Sequence, residues 1–113
     1  MWLQLGVVAV AAGVYLLLRR VDRVSGTQAR ALVDEGARLV DVRTREEFDD
    51  EHIEGAVNIP LAELGDRLGE LGDKAGDIVV YCRSGMRSAR AKKLLAMHGF
   101  SAVHDLGGRN RWQ

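Results

Sequence analysis

The stretch Asp77-Ile-Val-Val-Tyr-Cys82-Arg-Ser-Gly-Met-Arg87-Ser-Ala-Arg90 places the chain's single cysteine between an apolar run and a polar loop. Ile78 to Tyr81 is short, apolar and β-branched, the pattern of a buried parallel strand. Ser88 to His98 has the spacing of an amphipathic helix. A loop between a strand and a helix N-terminus gathers backbone N–H groups at the positive end of a dipole, so it favours an anion. A cysteine in that loop, with Arg83 and Arg87 beside it, has a lowered pKa and a reactive thiolate. The competing reading is an inert core thiol that happens to end a strand. Apolar neighbours on both sides would favour it, whereas here one side is cationic and contains a glycine.

Cys82-Arg-Ser-Gly-Met-Arg87 resembles the six-residue active-site loop of rhodanese-type sulfurtransferases. Upstream, Leu39-Val-Asp-Val-Arg43, Glu47-Phe48 and His52-Ile-Glu-Gly-Ala-Val-Asn-Ile-Pro60 are similar to two further signatures of that family, in the family's order. Downstream, residues 94–100, Leu106-Gly-Gly108 and Trp112 are similar to its C-terminal motif, so the resemblance spans residues 22–112. It implies a rhodanese-like α/β fold and a persulfide mechanism. The Cys82 thiolate attacks the outer sulfur of thiosulfate or another persulfide donor, and an acceptor thiol, or cyanide in an assay, removes that sulfur. Arg83, Ser84, Gly85, Met86 and Arg87 form the substrate-binding loop. Their amides stabilise the charged sulfur, and Arg87 or Arg83 meets the anionic donor. Neither metal nor organic cofactor is required. Beyond the tryptophan, family members commonly continue with a helix; here a turn at most is expected.

Three alternatives stand beside this. A phosphatase or arsenate reductase shares the fold and nucleophile, but the phosphatase pattern has five residues between cysteine and arginine. Here four intervene and Ser88 takes the next place. A non-enzymatic sulfur carrier or docking module would hold sulfur on Cys82 for a partner. A membrane scaffold without chemistry leaves the reactive loop unexplained.

The elements that must position the loop follow from pattern. Ser25 to Gln28 fits a capping box opening a helix to about Glu35, stopped at Gly36, with Ala29, Leu32 and Val33 on its apolar face. Leu39 to Val42 reads as the next buried strand. Thr44 to Glu47 is a second capping box for a short helix on which Phe48 packs inward. Asp41 and Arg43 fit an ion pair joining two loops better than a substrate contact. His52 fits a structural hydrogen bond better than a catalytic base, since a formed thiolate needs none. Ala56 to Ile59 predicts a strand closed by Pro60, and Leu61 to Leu71 a helix with apolar residues at 61, 64, 68 and 71. In the helix after Cys82, Ala89, Ala91, Leu94, Leu95 and Met97 are assigned to the core, and Arg90, Lys92 and Lys93 to a solvated face. Gly99 stops it, residues 100–104 form a last strand, and Gly107-Gly108 allows close backbone approach. Alternating strands and helices predict a parallel sheet of four or five strands flanked by helices, with Cys82 at its carboxyl edge.

The 113 residues carry 16 basic and 16 acidic side chains, a balance that does not favour nucleic acid. One cysteine excludes an intramolecular disulfide framework and suits a reducing compartment. His52, His98 and His104 lack ligand spacing with one another or with Cys82, which argues against a metal site. Trp2 to Leu18 is uncharged and is followed by Arg19, Arg20 and Arg23. As a helix it reaches roughly 25 Å at about 1.5 Å per residue, slightly short of the ~30 Å hydrocarbon core. Trp2 and the arginines can absorb that mismatch. A signal peptide would need basic residues before the run and a cleavage site after it. The expected organisation is therefore a transmembrane anchor over residues 1–20 and a catalytic domain over 21–113. The positive-inside rule places that domain in the cytoplasm.

Overall fold

The computed structural model describes residues 22–113. The predicted span, residues 2–18, lies outside the described residues. Among those described, no helix is long and apolar enough to cross a membrane.

The apolar run before the cysteine becomes β3 (Ile78–Cys82), buried at all five positions. It lies between β1 (Arg38–Asp41) and β4 (Val103–Gly108), with β2 (Val57–Asn58) outside β1, in a four-stranded sheet of order β2-β1-β3-β4. All pairings are parallel. A parallel sheet is covered on both faces, which is why β3 is apolar throughout rather than at alternate positions. Ile78, Val80 and Cys82 face one cluster with Val40, Leu64, Leu71, Ala91 and Leu95. Val79 and Tyr81 face the other, with Ala29, Leu39 and Leu106.

The two capping boxes form as predicted. Ser25 and Gln28 exchange side-chain and backbone bonds at the start of α1 (Gly26–Asp34), and Thr44 and Glu47 do so for α2 (Arg45–Asp50). Gly36, at φ 107°, follows α1 in the left-handed region that ends helices.

Four expectations are corrected. Phe48 does not enter the core: α2 buries none of its six residues, and the ring stacks on His52 with centroids 3.7 Å apart. The helix predicted over residues 61–71 breaks into α3 (Leu61–Leu64) and a 3-10 turn (Leu68–Leu71). Gly65 and Gly69 weaken it, and Arg67 at φ −122° leaves the helical region. Leu64 and Leu71 are still buried, so the periodicity reported burial correctly and helix length wrongly.

The helix after Cys82, α4 (Met86–Met97), begins two residues earlier than expected. Its inner stripe is Ser88, Ala91 and Leu95, while Ala89 and Met97 point to solvent. The last strand runs over Val103–Gly108 rather than residues 100–104, because a bulge lets it continue beside the cysteine. Val80 pairs with Asp105 but Tyr81 with Gly107, so Leu106 is the extra residue. Gly107 takes φ 87°, and its N–H donates to the buried Asp105 carboxylate at 2.8 Å. A 3-10 turn over Arg109–Trp112 follows.

Candidate active site

Cys82 ends β3 at the carboxyl edge of the sheet, where the strand-to-helix loop begins. Gly85 ends that loop at φ 103°, a left-handed conformation that suits glycine alone, and is the N-cap of α4. This geometry turns the Gly85 N–H onto Cys82 Sγ at 2.9 Å. Ser88 Oγ, one turn into α4, lies 3.6 Å from Sγ and donates to the Gly85 carbonyl at 3.1 Å. The residue is fully buried. Burial by itself raises a thiol, yet the Ser88 hydroxyl and the amides of Ser88, Gly85 and Ser84 outweigh it, and the Cys82 thiol is lowered from its ordinary value. The cysteine is thus both core residue and polarised sulfur.

Arg87 is not open to solvent as a bare anion receptor. Its guanidinium makes a two-pronged ion pair with Glu47, at 2.6 and 3.0 Å. Glu47 is set there by its second role, closing the capping box on Thr44. The Arg87 bond, more than the Thr44 contacts, pulls the Glu47 carboxyl down to about 2. Arg83 and Ser84 are exposed, and Met86, with 69% of its surface accessible, stands on the rim of the loop. A cleft of about 390 Å³ beside the loop is lined by Arg43, Glu47, Asp50, Glu51, Arg83 and Arg109, with Asn110.

Asp41 and Arg43 form the predicted ion pair, with Arg43 Nη2 2.7 Å from Asp41 Oδ2 and both side chains buried. Arg43 also donates to the Glu51 carbonyl at 2.6 Å, and Asn58 Nδ2 donates to the carbonyls of Asp41 and Arg43 at 3.0 Å. These bonds tie the loops after β1 and α2 together behind the cleft. His52 Nδ1 is bonded to the Phe48 carbonyl at 2.8 Å, the structural role expected of it. Gly108 passes so close to the loop that a methyl group there would sit 2.8 Å from the Arg83 carbonyl oxygen.

Two contributors were missed by sequence reasoning. Ser88 is six residues beyond Cys82 and on the buried stripe of α4. A helix start at Met86 rather than Ser88 would have placed it inward. Glu47 as the partner of Arg87 had no local signal, because 40 residues separate them.

Residues 25–113 match the rhodanese-like domain family. The thiosulfate sulfurtransferase PspE of Escherichia coli (strain K12) is 40% identical over 70 residues, 61% of this chain and 67% of that protein. The chloroplastic thiosulfate sulfurtransferase 16 of Arabidopsis thaliana is 39% identical over 101 residues, 79% of this chain and 84% of that protein. Among solved structures, the human single-domain sulfurtransferase TSTD1 superposes with a TM-score of 0.72 at 30% identity, covering 80% of this chain and 94% of that one.

Proposed function

We propose, from the premise that the chain belongs to the rhodanese-like domain family, that Cys82 carries a sulfane sulfur as a persulfide between an anionic donor such as thiosulfate and a thiol acceptor. The chain is a rhodanese-type sulfurtransferase. The observation that carries the site assignment is the Gly85 N–H aimed at Sγ from a loop with four residues between Cys82 and Arg87.

In the first half-reaction the Cys82 thiolate attacks the outer sulfur of thiosulfate. A bond forms between Sγ and that sulfur while the bond to the inner sulfur breaks, and the electron pair leaves with sulfite. The product is a Cys82 persulfide anion. An acceptor thiolate then takes the outer sulfur and returns the Cys82 thiolate, which gives ping-pong kinetics. The loop amides and the Ser88 hydroxyl, turned to donate, stabilise the negative sulfur in both steps. Arg83 and Arg87 serve the anionic donor, and for Arg87 the donor must first displace Glu47.

Residues 2–18 hold this domain to a membrane in the same proposal, with the domain on the cytoplasmic side. Support comes from the uncharged run and the arginines that follow it.

Intact mass reads the chemistry directly. Incubation with thiosulfate should add one sulfur atom, and cyanide should remove it with release of thiocyanate. Cys82→Ser should show neither step, and transfer retained in that variant would overturn the assignment. Aryl phosphate hydrolysis faster than sulfur transfer would favour the phosphatase alternative instead.

A further inference from the structure

Arg23 precedes the matched domain, yet it reaches the sulfur loop. It forms an isolated parallel bridge with Asp105 of β4, and the neighbouring Val24 N–H donates to the Asp105 carbonyl at 2.9 Å. Its side chain then runs over two glycines. A methyl group built on Gly107 would lie 3.2 Å from Arg23 Cδ. One built on Gly85 would overlap Arg23 Nη2 and sit 2.7 Å from Cζ, so the guanidinium occupies the space that the missing Gly85 side chain leaves. Arg23 Nε is 4.0 Å from Oδ2 of the buried Asp105 carboxylate, whose other oxygen accepts the Gly107 N–H.

We propose that Arg23 is a positioning residue for the sulfur site, packing on Gly85 from outside and so holding the N–H that Gly85 directs at Cys82 Sγ. No side chain caps the N-terminus of α4, so the usual means of fixing such a loop is missing. Ser88 holds Gly85 from the inside only while its hydroxyl donates to the Gly85 carbonyl, and Arg23 closes it from the outside whether or not that hydroxyl turns to the sulfur. The segment that carries Arg23 is itself tied down. Val24 ties it, its N–H donating to the Asp105 carbonyl and its carbonyl accepting from Arg111 at 3.0 Å, so the exposed Asp22–Lys92 pair is not needed for that hold. A left-handed glycine next to a reacting atom is the place where a small backbone rotation misdirects a hydrogen bond. Besides Arg23, the charged groups at the loop are Arg83 within it, Arg87 of α4 with its partner Glu47 of α2, and Asp105 of β4 beside Arg23. Arg23→Ala removes one cation and leaves the others in place.

The proposal rests on Cys82 as the sulfur carrier, and two readouts on the full chain in detergent separate the two ideas. The first is the pH dependence of Cys82 alkylation, which needs no sulfur transfer. Arg23→Ala should raise its midpoint by about half a unit to one unit, a roughly three- to tenfold loss of thiolate near neutrality. The second is thiosulfate turnover, whose kcat/KM should fall in parallel. Arg23→Lys, which keeps a cation near Asp105 but not the guanidinium over Gly85, should recover less than half of each effect, and full recovery would make the role one of charge alone and overturn the proposal. Lys92→Ala, which releases Asp22 without touching the loop, should leave the midpoint at the wild-type value. An Arg23→Ala midpoint equal to the wild type would overturn the proposal, as would a Lys92→Ala midpoint displaced as far. A displaced Arg23→Ala midpoint in a protein that transfers no sulfur would uphold the positioning role and remove the sulfurtransferase reading.

Discussion

Ser88 and Glu47 govern the two charges of the site, the sulfur and the arginine. Without its hydrogen bonds a buried thiol stays protonated, so the lowered pKa of Cys82 depends chiefly on Ser88, with the loop amides adding to it. The reactive thiolate exists above the thiol pKa. Losing a contact that lowers that pKa therefore moves the rising limb of the pH–rate profile upward. Ser88→Ala should slow persulfide formation at neutral pH by about tenfold for each unit of displacement, and recover at high pH. A profile unchanged in Ser88→Ala would leave the amides as the whole cause. Glu47→Gln acts on the other charge. It releases Arg87 from a two-pronged ion pair, so KM for thiosulfate should fall while kcat changes little, and Arg87→Ala should raise KM. The same pair has an acid signature. The Glu47 carboxyl is depressed from 4.5 to about 2, so its contribution to stability is complete above pH 4.5 and is lost as pH falls toward about 2. Glu47→Gln should flatten that part of a urea-midpoint series.

At the scale of elements, the broken helix between β2 and β3 gives a direct test of why it broke. Gly65 sits at φ −61° in the right-handed region, with open space where a side chain would go. Gly65→Ala should stabilise the domain by about 0.4–1 kcal/mol, because it removes unfolded-state freedom without strain. A lower urea midpoint would mean that the break is imposed from elsewhere. Leu71→Ala, by contrast, opens a cavity in the cluster under Cys82 and should cost about 2–5 kcal/mol. These two residues also show what was legible. The apolar spacing of 61, 64, 68 and 71 names core contacts, and it did so here even though the backbone changes form between them. Capping boxes and the β-branched run before Cys82 were readable because their partners lie within a few residues. The bulge that carries β4 past Leu106, the Glu47–Arg87 pair and the Arg23 packing join distant segments, so no local pattern announced them. The start of α4 was missed for a different reason. Its N-cap is a glycine without a side-chain bond, and the polar residues of its first turn read as loop.

For the whole molecule, the proposed anchor and the catalytic domain meet at the segment that packs on the active loop. Arg19, Arg20 and Arg23 all lie in the window where basic residues set orientation, with none before the apolar run to oppose them. Arg23 also packs on Gly85 beside Asp105, so the test of orientation falls to Arg19 and Arg20. An arginine dragged into the bilayer centre costs on the order of 3 kcal/mol on insertion scales, so the proposed span should end at Arg19. The proposed arrangement leaves only residues 20–22 between that boundary and the packed Arg23. In spheroplasts the domain should resist added protease, and the chain should stay in the membrane fraction after alkaline extraction. Replacing Arg19 and Arg20 with glutamine should let a fraction of the molecules invert and become protease-sensitive, while sulfur transfer in detergent stays at the wild-type rate because neither residue belongs to the loop. Digestion of the unaltered domain from outside would reverse the topology. Release by alkali would make residues 2–18 a peripheral attachment instead of a span.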